Sequence, residues 1–224
     1  PLLRTYAPAR AAVSIITSDK GLCAGFNAKS LQYGVRAATL SREDESPELL
    51  AIGRKAVQLY RRLGIPVYRE WAGFWQELSW LHADQMAGEI IAAFASGRWS
   101  RVTLVYNRFK SILLQEVVEE PLLPLTWVYD REHPTDRFSE FVFEPSADAV
   151  LATLLVRYVK VSLWHALLES KAAELAARLQ AMDGATQSAG EMIEELTLQM
   201  NRARQAAITR EISELVGGAE AIRA

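Results

Sequence analysis

The C-terminal third of the chain carries one uninterrupted apolar stripe, which limits its possible architectures more than any other feature. Taking every third and fourth residue alternately from Leu151 gives Leu151, Leu154, Tyr158, Val161, His165, Leu168, Ala172, Leu175, Leu179, Met182, Thr186, Ala189, Ile193, Leu196, Met200, Ala203 and Ala207. Only His165 and Thr186 break its apolar or small character over about eight heptads, the 3.5-residue repeat of left-handed coiled coils. About 70 helical residues at 1.5 Å each would run roughly 105 Å, whereas a domain built from the residues before Pro145 would be only about 30 Å across. Most of the stripe therefore has to run past that domain, and in water it needs a partner. Pattern alone leaves open a dimeric coiled coil or a hairpin folded at Gly184 or Gly190, although the heptad phase passes both glycines without a slip. Beyond Ala207 the stripe shifts to Ile208, Ile212, Leu215 and Val216, so a change of partner is expected near the tip.

The preceding segment reads differently. Residues 11–17 are short, apolar and β-branched, the composition of a buried strand. A glycine-containing turn leads to a helix over Asn27–Leu40, then a charged loop at 41–48, a strand at Leu49–Ile52, a helix at Lys55–Leu63 closed by Gly64, and a short strand at Val67–Arg69. A helix over 82–96 ends at Gly97. Arg101–Phe109 and Ile112–Val118 read as an antiparallel edge hairpin, and Phe138–Phe143 as a last strand. Alternating strands and helices predict an α/β layer with partly parallel strands. Pro145 marks the start of the long helix. The expected division is therefore an α/β domain over 1–145 and a helical segment over 146–224.

Composition excludes several functions. Of 224 residues, half are hydrophobic and 23% charged, with a formal net charge of −2; Lys and Arg are dispersed, so there is no electrostatic footprint for nucleic acid. Cys23 is the one cysteine, which excludes an internal disulfide and a thiolate cluster. No apolar run reaches the roughly 18–20 residues of a membrane span, so any membrane association is expected to be peripheral. Residue 1 is Pro rather than Met, which suggests a processed or truncated start.

Chemistry-bearing patterns are sparse. Ser18–Asn27, between the first strand and first helix, lies where α/β proteins often bind phosphate. It is neither G-x-G-x-x-G nor a Walker A loop, because Lys20 precedes the glycines; a tight turn packing strand on helix is the simpler reading. Cys23 is either a small buried hydrophobe or a low-pKa thiol at a helix N-terminus. His82, His133 and His165 show no metal-ligand spacing. Trp71, Trp75 and Trp80 form either a local apolar cover or a partner-binding patch, while Glu119-Glu120 and Glu194-Glu195 read as solvated faces. No nucleophile, base and oxyanion hole assemble, and no cofactor is expected.

Two stretches resemble a known family. Thr17-Ser18-Asp19-Lys20-Gly21-Leu22-Cys23-Ala24-Gly25-Phe26-Asn27 is similar to the T-S-D-[RK]-G-L-C-G-G-[FL]-N segment of F-type ATP synthase gamma subunits. Leu196–Ile212, which contains Asn201-Arg202-Ala203-Arg204-Gln205, and Glu214–Ala219 after it resemble the C-terminal signature of that family. Phe141–Pro145 and Leu154–Tyr158 sit where the family has its last strand and the start of its long helix, so the match is collinear across the chain.

The resemblance implies a Rossmann-like small α/β domain plus a long C-terminal coiled-coil helix. It also implies the central-stalk rotor of a proton-translocating F-type ATP synthase, without a catalytic site of its own. The implied partners are the alpha and beta subunits, the epsilon subunit, the c-subunit membrane ring and an N-terminal helix antiparallel to the stripe. That helix is missing here, and because Pro1-Leu2-Leu3 resembles the family's sequence just after it, the resemblance implies a fragment. Contact with the catalytic subunits falls on Arg204 and Gln205, with Asn201, Ile208 and Ile212 beside them. The coiled-coil stripe falls on Leu154, Val161, Leu168, Leu175, Leu179, Ile193 and Leu196. The implied location is peripheral, on the cytoplasmic face of a bacterial inner membrane. Besides the missing helix, the other departure is the lack of a second cysteine, which excludes the dithiol switch of plant-type gamma subunits; Ala24 in place of the commoner Gly looks minor. The rival readings are a free-standing α/β enzyme using the Cys23 turn and a coiled-coil scaffold.

Overall fold

Arg10–Ile16 forms the first strand, β1, whose last five residues are all buried. Such burial is what a strand covered on both faces requires, and it explains the near-continuous apolar run. A computed structural model of the chain describes residues 2–4, 6, 10–40, 46–125 and 143–223. The expected strand at Phe138–Phe143 and the charged residues 41–45 lie outside the described residues, except Phe143. After β1 come α1 (Phe26–Leu40), β2 (Glu48–Ile52), α2 (Arg54–Leu63), β3 (Val67–Trp71), α3 (Trp80–Ala95), β4 (Trp99–Phe109), β5 (Gln115–Leu123) and α4 (Ala147–Arg223). A single 3-10 turn, Trp75–Glu77, precedes α3.

The sheet order is β3-β2-β1-β4-β5. β1 pairs in parallel with β2 (Val13 opposite Leu49) and with β4 (Val13 opposite Thr103), and β2 pairs in parallel with β3. β5 closes the sheet antiparallel to β4, as the hairpin reading expects. Its residues differ from that reading: 110–114 are the turn, and the strand begins at Gln115. Ile112, Leu113 and Leu114 have strand-like composition, but here they are exposed at the tip of the hairpin.

Two apolar layers cover the sheet. On one face Val13, Ile15, Leu49, Ala51 and Val105 meet α1 and α2 through Leu31, Val35, Ala56, Val57 and Tyr60. On the other, Ala12, Ile16, Leu50, Val102, Leu104 and Tyr106 meet Met86, Ile90 and Phe94 of α3 and Val159, Leu163 and Leu167 of α4. Alternation along β1 sends successive side chains to opposite layers.

Local signals set the helix ends. Gly64 closes α2 in the left-handed conformation, φ 68°, which costs glycine nothing sterically. α3 starts at Trp80, earlier than expected, because the Nδ1 of His82 accepts the amide of Ser79. Ser146, not Pro145, caps α4: its hydroxyl accepts the Ala149 amide at 3.3 Å. α4 is helical through Gly184 and Gly190, so neither glycine folds a hairpin.

The chain divides into two compact units, Pro1–Gln180 and Ala181–Ala224. The first contains the sheet, its helices and the beginning of α4; the second is the remainder of that helix, whose described side chains are exposed apart from half-buried Ala181.

Candidate functional site

The glycine turn is held by its own side chains. Asn27 at the start of α1 accepts the Ser18 amide at 3.0 Å and donates to the Ser18 hydroxyl at 2.9 Å and to the Cys23 sulfur at 3.2 Å. The carboxylate of Asp19 accepts amides from Arg54 at 2.7 Å, Gly73 at 3.0 Å and Trp75 at 3.3 Å. One residue therefore joins the end of β1, the first turn of α2 and the loop after β3. Amides that could have cradled a phosphate at Ser18 and Arg54 are already satisfied within the chain. Cys23 is 2% exposed; burial pushes its thiol pKa up, against the opposing effects of the Ser18 hydrogen bond and Arg178. A raised pKa opposes thiolate formation, so the geometry fits a buried small hydrophobe.

α4 packs across the carboxyl ends of β1 and β4. There Cys23, Phe26 and Phe109 pack against Ala173 and Ala177, small residues that let the helix approach closely. Polar bonds surround this contact. The Asn107 amide donates to the Ser170 hydroxyl at 3.3 Å, and the Phe109 amide to Glu169 at 2.7 Å. Asn107 also donates to Ser30 at 2.9 Å. Glu174, 1% exposed, accepts the indole N–H of Trp75 and is paired with Arg178 at 2.6 Å and Lys171 at 3.5 Å. Arg178 in turn donates to the Gly21 carbonyl at 3.2 Å. In open α/β sheets the crevice between diverging connections at the strands' carboxyl ends is the usual ligand site. Here α1 and α3 lie on opposite faces beside β1 and β4, and α4 fills the crevice between them.

The other side of α4 exposes a row of large apolar side chains. In the first unit Leu151, Leu154, Tyr158, Val161, Leu168, Leu175 and Leu179 are exposed, at stripe positions expected from the heptads. Leu154, Tyr158 and Val161 line a shallow apolar groove of about 410 Å³ with Leu125, Leu151 and Leu155. In the second unit Ile193, Leu196, Met200, Ile208 and Ile212 are exposed, as are Asn201, Arg204 and Gln205.

Sequence reasoning found the exposed stripe and missed the buried face beside it. Val159, Leu163, Leu167, Ser170, Glu174 and Ala177 recur at three and four residues, a second helical period that the longer stripe overshadowed. This second face also corrects the expectation about membrane spans. Within Ala147–Ala219 one 18-residue window reaches a mean hydropathy of 1.3, sufficient by length and composition to cross a membrane, with 22% of it buried. The helix is apolar on two sides, one packed on the sheet, so its average composition exceeds that of an ordinary amphipathic helix.

The tryptophans divide. Trp75 is buried and Trp71 half-buried against the core, which fits the local cover, while Trp80 is exposed and meets Trp164 edge-on at 6.1 Å. Glu119 and Glu120 are more than a solvated face: Glu120 accepts the Tyr106 hydroxyl at 2.7 Å. Burial first, and Glu119 second, push the pKa of Tyr33 up to about 12. Among the described residues, no three His, Cys, Asp or Glu side chains converge to hold a metal ion.

Comparison with known proteins decides the family. A family model described as ATP synthase matches residues 1–222. The ATP synthase gamma chain of Pelotomaculum thermopropionicum is 43% identical over 224 residues, 99% of this chain and 77% of the relative. The chain belongs to the ATP synthase gamma-chain family. The gamma chain of Desulforamulus reducens is 42% identical, with the same coverage. Among solved structures, the central stalk and c-ring of the Tetrahymena thermophila mitochondrial ATP synthase includes a chain 26% identical, with a TM-score of 0.61 over 80% of this chain and 76% of that one. A chain of the Euglena gracilis mitochondrial ATP synthase, 18% identical, shares the fold with a TM-score of 0.70 over 96% of this chain and 73% of its own length. The mixed sheet followed by a long C-terminal helix is thus the gamma-chain fold.

Proposed function

We infer that the chain acts as the central-stalk rotor of an F-type ATP synthase, coupling proton-driven rotation to conformational change at catalytic sites on the beta subunits. The observation that carries this reading is the two-sided α4. One side is buried and hydrogen-bonded into the α/β domain, while the other presents apolar side chains at coiled-coil spacing. A helix built this way can be held firmly at one part and gripped by another body elsewhere. An eccentric shaft biases conformational equilibria in its surroundings by contacting each neighbour differently at each angle.

In this reading residues 1–145 are the foot, beside the epsilon subunit and the c-subunit ring, and residues 146–224 are the shaft. Leu154, Val161, Leu168, Leu175, Leu179, Ile193 and Leu196 pack on an antiparallel helix. Asn201, Arg204, Gln205, Ile208 and Ile212 meet the alpha and beta subunits, with Arg204 and Gln205 setting angular register. The chain carries no catalytic site of its own, and it works at the cytoplasmic face of a bacterial inner membrane. The burial of Cys23 and the internal pairing of the Ser18 and Arg54 amides favour this over a free-standing enzyme.

The test replaces Arg204 by Ala in the complete enzyme. Retained assembly with at least a tenfold loss of ATP turnover is expected. Failure of the unaltered chain to join alpha and beta subunits, or its recovery only as a homodimer, would sink the rotor reading and support the scaffold.

A further inference from the structure

The structure assigns Glu174 as the positioning residue that fixes α4 in rotational and axial register on the α/β domain, with Trp75 as its lock. This rests on the rotor reading, in which torque has to pass between the foot and the shaft. Three observations support it. First, Glu174 is a carboxylate 1% exposed, in a helix segment whose apolar seat is Val159, Leu163, Ala166, Leu167, Ala173 and Ala177 and whose bonds to the sheet, at Glu169 and Ser170, go to backbone amides of β4 rather than to a side chain. Apolar contacts of that kind are non-directional and tolerate sliding; a hydrogen bond between a carboxylate and an indole N–H is directional.

Second, the partners of Glu174 come from separate parts of the fold. Trp75 belongs to the 3-10 turn after β3, and its own amide is held by Asp19. Arg178, paired with Glu174 at 2.6 Å, reaches the Gly21 carbonyl of the glycine turn. Asp19 and Gly21 lie in that same turn, so two routes from Glu174 end within three residues of each other. The result is a closed ring of polar bonds: Glu174, Trp75, Asp19, the turn, Gly21, Arg178 and back to Glu174.

Third, the location suits a joint. Ala177 is the last buried residue of α4 among the described residues, and the compact unit ends at Gln180. Glu174 is therefore the last buried polar group before the helix leaves the core. Advancing the helix by one residue turns it about 100°, which would carry the Glu174 carboxylate away from Trp75 and leave the indole N–H unpaired. Buried polar groups that satisfy only one arrangement specify that arrangement.

The test uses Glu174→Gln and Trp75→Phe, each in the complete membrane-bound enzyme. ATP hydrolysis and ATP-driven ion translocation are measured on the same vesicles. For the unaltered chain, translocation must follow hydrolysis; if it does not, the rotor reading fails and this inference falls with it. In both variants hydrolysis is expected to stay within twofold of the unaltered enzyme, while ions moved per ATP fall at least threefold. Glu174→Asp, which keeps the charge on a shorter arm, should recover part of that ratio. If the enzyme assembles and the ratio is unchanged in both variants, or hydrolysis and translocation fall in equal proportion, Glu174 is a packing residue and the assignment is overturned. If Glu174→Gln does not assemble, the Trp75→Phe enzyme decides by the same ratio.

Discussion

At the scale of single residues, backbone conformation gives the sharpest expectations. Ala24 has φ +45°, in the left-handed region where an L-residue costs about 1–2 kcal/mol. A glycine at this position would adopt the same conformation without that strain. Ala24→Gly should stabilise the chain by about 1 kcal/mol in urea unfolding, relief of the strain outweighing the added freedom of the unfolded chain. Gly53, φ +96°, has the opposite constraint: a Cβ would sit 2.1 Å from the Thr17 carbonyl oxygen. Gly53→Ala should cost more than about 3 kcal/mol. Tyr60 is buried with no hydrogen-bond partner for its hydroxyl among the described residues, and burial pushes its pKa well up. Tyr60→Phe should therefore be neutral or stabilising by up to about 1 kcal/mol. Glu48 accepts Arg98 at 2.8 and 2.9 Å and the Trp99 indole at 2.8 Å. Burial alone would raise its pKa, but those bonds outweigh it and the net shift is downward. A depressed carboxyl pKa contributes stability above the unfolded value of about 4.3 that is lost as pH falls through the folded value. Glu48→Gln should accordingly destabilise the chain at neutral pH, with the gap from the unaltered chain closing below about pH 4.

At the scale of elements, neighbouring residues on α4 have opposite roles. Leu167 is buried against the sheet and Leu168 is exposed on the stripe. Leu167→Ala should cost about 2–5 kcal/mol in the isolated chain. Leu168→Ala should leave the chain within about 0.5 kcal/mol yet weaken association with whatever covers the stripe; paired thermal unfolding and co-purification measurements separate the two. The same pair shows what the sequence made legible. The heptad spacing through Leu168, Leu175 and Leu179 identified the helix and its exposed face, because a repeat held over many turns is hard to imitate. The face through Leu167, Ser170 and Glu174 was hidden, since it spans few turns and includes polar residues whose partners, Asn107 and Trp75, lie far off in sequence. β1 and β2 were legible for the same reason, burial on both faces. The hairpin was misplaced because Ile112, Leu113 and Leu114 have strand composition at a turn. Trp75 could be assigned to a cover, but not to Glu174, since no local pattern encodes a contact across 99 positions.

At the scale of the whole molecule, the two units should differ in amide exchange. A helix without tertiary packing is marginal in water, so amides across 185–215 should exchange rapidly in the isolated chain, while those across 159–177 stay protected. Joining the alpha and beta subunits should slow the first group by at least tenfold and leave the second unchanged. Equal protection of both segments in the isolated chain would argue against the rotor reading, since the stripe would already be covered.

The seating of α4 in the crevice above β1 and β4 has a further consequence. In related sheets that crevice is a vacancy for a diffusible molecule, and its occupancy rises and falls with supply. Here the occupant is tethered, and a tethered group acts at an effective concentration set by the chain, commonly millimolar for short flexible links. The crevice is thus closed to a diffusible molecule for as long as α4 stays seated in it.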